Sequence, residues 1–156
     1  MNPDSTALQV VLQHAEGERD LALAQLTQLA DAQNRLRSQQ EQLQTYRRDY
    51  HARWTAQFRL AGTADVMLHY QGFVERLNLA LEQLEMQLEM TVRQTEQARE
   101  LLMERETRVL AVRKLIERRG VEQARRVAQR EQRHSDELAA RVSLQRAPVL
   151  ASAGSA

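Results

Sequence analysis

The sequence predicts an all-α protein, an antiparallel two-helix coiled coil in which the second helix overhangs the first. Two observations lead to this prediction. First, the chain has 156 residues but only five glycines, two prolines and 4% aromatic residues. Pro3 and Pro148 lie near the ends, and turns between short strands would need many more such residues. Second, apolar residues recur at heptad spacing along most of the chain.

Helix one is predicted over residues 6–59, after a short lead-in at residues 1–5. Asp4, Ser5 and Thr6 are suitable N-cap residues for it. Its apolar row has one member every seven positions: Leu8, Ala15, Ala22, Leu29, Leu36, Leu43 and Tyr50. A companion row, four positions further on, runs from Leu12 to Trp54 and is half polar. Two such rows form the seam of a coiled coil.

The turn between the helices is predicted at residues 60–64. Gly62 can adopt the left-handed conformation that ends a helix. Thr63 or Asp65 can then cap the next one. A connection this short makes the two helices antiparallel neighbours.

Helix two is predicted over residues 65–146, with a disordered tail at residues 147–156. Its apolar row is Val74, Leu81, Leu88, Thr95, Leu102, Val109 and Ile116, and its companion row runs from Tyr70 to Val112. Folding back at Gly62 brings Leu8 level with residues 115–118. The segment after Gly120 therefore overhangs the start of helix one.

Charge is unevenly distributed although the net charge is only +1. Acidic and basic residues are equal in number in residues 1–60, whereas residues 61–104 are acidic and residues 105–146 are basic. The basic segment includes Arg118, Arg119, Arg125, Arg126, Arg130 and Arg133. These arginines could line phosphates, but acidic residues interrupt them and no aromatic residues are interleaved for base stacking. A protein partner or solvent is therefore favoured over nucleic acid.

Catalytic and cofactor motifs are missing from the sequence. The chain has no cysteine, no glycine-rich phosphate loop, and no histidine pair at metal-ligand spacing. We therefore expect a non-enzymatic protein with no cofactor and no metal site. No signal peptide and no bilayer-spanning apolar run is present, so a cytoplasmic location without membrane insertion is expected.

Aromatic residues cluster on either side of the predicted turn. Tyr46, Tyr50, Trp54 and Phe58 are spaced four apart, and Tyr70 and Phe73 follow the turn. They form either a plug that closes the seam or, where they face outward, a docking surface. The sequence leaves both possibilities open.

Three segments in this order resemble the FliJ family, the soluble coiled-coil component of the flagellar type III export apparatus. They are LQTYRRDY in helix one, HYQGFVERLNLALEQLEMQL after the turn, and EQRHSDELAARV in the basic segment. The resemblance covers roughly residues 8–142. It implies a stalk-like hairpin, peripheral at the inner face of the cell membrane, that binds the hexameric export ATPase and promotes its assembly. It also implies binding to the cytoplasmic domain of the export-gate membrane protein and to export chaperones.

The resemblance also implies site residues. The export gate would be bound by Phe73, Leu77 and Ala80, with Tyr46 and Tyr50 bordering the same surface. Leu84 continues the same stripe. Leu77 and Leu84 also belong to the companion row of helix two, so a role in the seam competes for both. The ATPase ring would be contacted by the six arginines between Arg118 and Arg133.

Three alternatives remain open at this stage. The chain could be the equivalent stalk of a virulence type III secretion system. It could be a structural coiled coil that self-associates through the exposed part of its seam. A weaker alternative is binding of RNA or DNA by the arginine-rich end, which would be lost steeply with added salt.

Overall fold

The protein consists of two long α-helices joined by a short turn. In the computed structural model, α1 spans Pro3–Leu60 and α2 spans Ala64–Ala153. The described residues include no strand, and the two helices pack against each other. The predicted all-α, two-helix fold is therefore confirmed, with a second helix of 90 residues against 58 in the first.

The structure describes residues 2–60 and 62–153, and it describes side chains as far as Arg146. Met1, Ala61 and residues 154–156 belong to the predicted lead-in, turn and tail, and they lie outside the described residues.

Helix α1 begins earlier than the sequence predicted. The carbonyl oxygen of Asn2 accepts hydrogen bonds from the backbone N–H groups of Ser5 at 3.0 Å and Thr6 at 3.3 Å. Asn2 is therefore the N-cap, and Pro3 occupies the first helical position, where its missing N–H costs nothing. The predicted start at Thr6 is wrong because Asp4 and Ser5 already belong to the first turn.

The turn does not use the left-handed conformation predicted for Gly62. No described glycine has a positive φ angle. Instead, a Cβ atom added at Gly62 would lie 3.2 Å from the carbonyl oxygen of Phe58, so glycine permits a close approach of the backbone here. The carbonyl of Thr63 accepts a hydrogen bond from the N–H of Met67 at 3.3 Å, which makes Thr63 the cap of α2.

The chain is divided into two compact units. The turn unit comprises His14–Arg108, and the terminal unit comprises Met1–Gln13 together with Val109–Ala156. Each unit contains a part of α1 and a part of α2.

The turn unit has a narrow seam made largely of small residues. Its buried residues are Ala15, Ala22, Leu77, Leu81, Thr95 and Ala98, all members of the predicted heptad rows. Thr95 is the polar member, and its hydroxyl donates to the carbonyl oxygen of Thr91 at 2.7 Å. This bond satisfies the buried hydroxyl within its own helix.

The terminal unit buries little of its surface. Val109 is buried, and Leu8 and Ile116 are half-buried along one groove. The side-chain amide of Asn2 donates to Gln123 at 3.0 Å, which agrees with the register expected from folding at the turn. From Glu117 to Arg146 every residue of α2 is exposed.

Helix α2 also continues past the boundary predicted after Arg146. It ends at Ala153, so the first part of the predicted disordered tail has helical backbone. Three of residues 147–153 are alanine, the residue with the highest helix propensity.

Candidate protein-interaction surfaces

An aromatic cluster in the turn unit joins the two helices beside the turn. Tyr50 of α1 is its centre, with its ring centroid 4.1 Å from Phe73 and 5.9 Å from Tyr70 on α2. Within α1, Tyr50 also contacts Tyr46 at 6.2 Å and Trp54 at 5.8 Å. The four-residue spacing places these α1 rings on one face, where they meet the rings of α2.

Tyr46 is the exposed member of this group of rings, and it contacts Phe73 of α2. Their rings meet edge to face with centroids 5.9 Å apart. Tyr46 is 49% exposed, while Phe73 and Tyr50 are half-buried. The cluster therefore closes the seam at Tyr50 and leaves an exposed aromatic edge at Tyr46.

The five residues predicted to bind the export gate do not all lie on the surface. Tyr46, Tyr50 and Phe73 are in mutual contact. Ala80 is half-buried and lies about two helical turns beyond Phe73 on α2. Leu77, however, is only 7% exposed and is part of the seam. Leu84, which continues the same row, is half-buried. Leu77 therefore belongs to the seam.

Polar contacts fix the margins of the aromatic cluster. The guanidinium of Arg47 donates to the side-chain oxygen of Asn78 at 2.9 Å. A ring nitrogen of His51 forms a hydrogen bond with the hydroxyl of Tyr70. Both contacts join α1 to α2, so they hold the register of the aromatic residues between them.

A groove next to the turn was missed by the sequence analysis. Its apolar wall is formed by Trp54, Phe58, Met67 and Tyr70, and its volume is about 270 Å³. We call it the turn groove. The four-residue spacing of Trp54 and Phe58 was visible in the sequence, but the arrival of Met67 opposite them depends on the path of the turn.

A cross-helix ion-pair cluster was also not predicted. The carboxylate of Glu18 on α1 accepts hydrogen bonds from Arg105 at 2.7 Å and Arg108 at 3.1 Å on α2. His14 lies 3.2 Å from the same carboxylate. The sequence signal was weak because Glu18 is outside both heptad rows.

The basic residues predicted to contact the ATPase lie in the terminal unit. All six are exposed: Arg118, Arg119, Arg125, Arg126, Arg130 and Arg133. Arg126 donates to Glu122 at 2.9 Å, one helical turn away. Arg119 and Arg126 also line a wide polar groove of about 690 Å³ beside the start of α1.

Four of these arginines share one face of α2. Arg119, Arg126, Arg130 and Arg133 are spaced seven, four and three apart, which aligns them along the helix. They form a row of positive charge on a segment where every side chain is exposed. Such a row is suited to an acidic surface on another molecule.

Neither a metal site nor a membrane span is found in the described part of the chain. No group of three or more His, Cys, Asp or Glu residues there has a geometry that could hold a metal ion. None of its helices is long and apolar enough to cross a bilayer.

The family described as Flagellar FliJ protein matches residues 4–148, which is most of the chain. No curated protein matches. No solved structure matches either.

Proposed function

Because the chain belongs to the FliJ family of flagellar proteins, components of the type III export apparatus, we propose that it is a non-enzymatic stalk and adaptor of that apparatus. In this role it binds the hexameric export ATPase, promotes ring assembly, and links the ring to the export gate and the export chaperones. The family match over residues 4–148 carries the proposal. The corresponding location is the cytoplasm, at the inner face of the cell membrane.

We assign the ATPase contact to the exposed end of α2. Every residue from Glu117 to Arg146 is exposed, so this segment buries little surface within the protein. Its arginine row faces solvent. Charged residues of this kind guide association and set its salt dependence. A binding partner with an acidic face would therefore be captured faster at low salt.

We assign the export-gate and chaperone contacts to the aromatic edge of the turn unit. Tyr46, Tyr50, Phe73 and Ala80 are the residues proposed to bind. Tyrosine and phenylalanine are favoured anchors because they bury large area with few rotatable bonds. Leu77 supports this surface as part of the seam, which differs from the direct contact that the resemblance implied.

The decisive experiment measures phosphate release by the cognate export ATPase with and without the protein, together with the size of the mixture. The expected result is faster turnover and a shift of the ATPase towards a hexamer. Arg130→Gln combined with Arg133→Gln should remove most of the stimulation. Arg35→Gln combined with Arg37→Gln is the matched control, since both residues are exposed arginines of α1.

Two results would contradict the proposal. The first is neither stimulation nor co-elution with the ATPase. The second is an equal loss of stimulation in both arginine pairs, which would show a general charge effect and not a contact at the end of α2.

A further inference from the structure

The turn groove has the size of a single large side chain. Its volume of about 270 Å³ lies just below the usual range for small-molecule sites, roughly 300–1,000 Å³. Trp54, Phe58, Met67 and Tyr70 supply an apolar wall, and Met can adjust its shape to different guests. A protein partner commonly anchors itself by inserting one such side chain into a pocket.

Apolar side chains are unusually exposed around this groove. Phe58 is 42% and Met67 is 44% exposed. Leu60 and Leu68, the neighbours in sequence of groove residues, are exposed by 87% and 67%. A concentration of exposed apolar surface on a soluble chain usually marks an interaction site.

The charge of the groove indicates the chemistry of its partner. Its polar residues are His51, Thr55 and Arg59, so the lining contains a cation and no carboxylate. The last part of α1, residues 46–60, adds three further arginines and a single aspartate. Asp65, at the start of α2, reduces this positive charge without cancelling it. An acidic partner is therefore complementary to this end of the turn unit.

We propose that an acidic amphipathic helix of another protein docks here and inserts one large apolar side chain into the turn groove. A helix is favoured over an added strand because the groove is formed by helical residues, whose backbone groups are already paired. The lining of the groove includes neither Tyr46 nor any arginine of the row, although it shares Trp54 and Tyr70 with the aromatic cluster. The proposal therefore goes beyond the proposed function and does not depend on it.

Trp54 provides a direct readout because it is the only tryptophan of the chain and lines the groove. The probes are two synthetic peptides of about 16 residues, or roughly four helical turns. They share one face of Leu and Phe, while the other face carries Glu in one peptide and Lys in the second. The Glu peptide should change Trp54 fluorescence saturably and bind about tenfold more tightly than the Lys peptide, because complementary charges favour it.

Variants locate the binding. Phe58→Ala and Met67→Ala should each weaken binding of the Glu peptide by about tenfold, as expected for residues that line an anchor pocket. Leu79→Ala is the matched control, because Leu79 is 57% exposed and lies outside the groove. Circular dichroism checks that each variant keeps its helix content.

Several outcomes would overturn the proposal. Equal affinity for the two peptides would show that charge complementarity does not guide binding. Unchanged affinity in the groove variants would show that the peptide binds elsewhere. Phosphatidylglycerol vesicles that alter Trp54 fluorescence more than the Glu peptide would assign the groove to a membrane surface. If Trp54 fluorescence depended on protein concentration in the absence of peptide, the groove would be assigned to binding of a second copy of the chain. Failure of ATPase stimulation would leave this proposal unaffected.

Discussion

The carboxylate of Glu18 on α1 accepts a hydrogen bond from the guanidinium of Arg105 on α2 at 2.7 Å, across 87 positions of sequence. Both side chains are about one-quarter exposed, and Arg108 donates to the same carboxylate oxygen. The cluster therefore joins the two helices of the turn unit, which has few buried residues. Charge-assisted hydrogen bonds are the stronger kind.

We therefore expect Glu18→Gln to lower the free energy of unfolding by about 1 kcal/mol, since partly exposed pairs are screened by solvent. Urea denaturation followed by circular dichroism measures this loss. Glu41→Gln is the control, because Glu41 is an exposed residue of the same helix. Equal midpoints for the two substitutions would show that the Glu18 cluster does not stabilise the protein. A Glu18 effect that high salt left unchanged would show that the stabilisation is not ionic.

The narrowness of the seam gives a second prediction. Ala22 is 4% exposed, and a leucine there would force the helices apart. Ala22→Leu should cost about 1–3 kcal/mol, the usual range for overpacking. Ala24→Leu is the same change at an exposed position of the same helix, and it should be nearly neutral. Urea midpoints of the two variants test this, and similar midpoints would show that the seam can widen without cost.

The position of the seam could be predicted from the sequence, whereas its polar and irregular details could not. Every residue of the four heptad rows is buried or half-buried except Arg47. Periodicity identifies these positions because a coiled-coil seam repeats every seven residues. Periodicity says nothing, however, about partners outside the rows. The ion pairs of Arg105 were therefore missed, because Glu18 belongs to no row.

The same limit applied to the candidate surfaces. The aromatic spacing from Tyr46 to Phe58 predicted a cluster near the turn, and Tyr50 does join both helices. Whether Leu77 faces the seam or solvent depended on the rotation of α2, which the row pattern left open. The turn groove needed the path between Phe58 and Met67, and the sequence analysis assigned Gly62 the wrong conformation there.

The different burial of Tyr46 and Leu77 yields a third prediction. Leu77→Ala should lower the free energy of unfolding by about 2 kcal/mol or more, because it removes a buried side chain and leaves a cavity. Tyr46→Ala should cost much less, since Tyr46 is half in solvent. Under the proposed function, Tyr46→Ala with Phe73→Ala should instead weaken binding to the cytoplasmic domain of the export gate.

Urea denaturation and a gate-binding titration together separate these effects. If Tyr46→Ala lowered the free energy of unfolding as much as Leu77→Ala, the aromatic edge would be structural. Full gate binding by the folded Tyr46 and Phe73 double variant would remove this surface from the proposed function.

Two glycines, one inside α1 and one in the turn, give the last prediction. A Cβ added at Gly17, inside α1, would meet nothing within 4 Å, whereas at Gly62 it would lie 3.2 Å from the carbonyl of Phe58. Gly17→Ala should therefore raise the free energy of unfolding by about 0.5–1 kcal/mol, because alanine reduces the entropy lost on forming a helix. Gly62→Ala should give no such gain, since the backbone of the turn must shift to admit the methyl group. Thermal and urea unfolding of both variants would reveal the difference, and a larger gain at Gly62 than at Gly17 would contradict the close approach inferred at the turn.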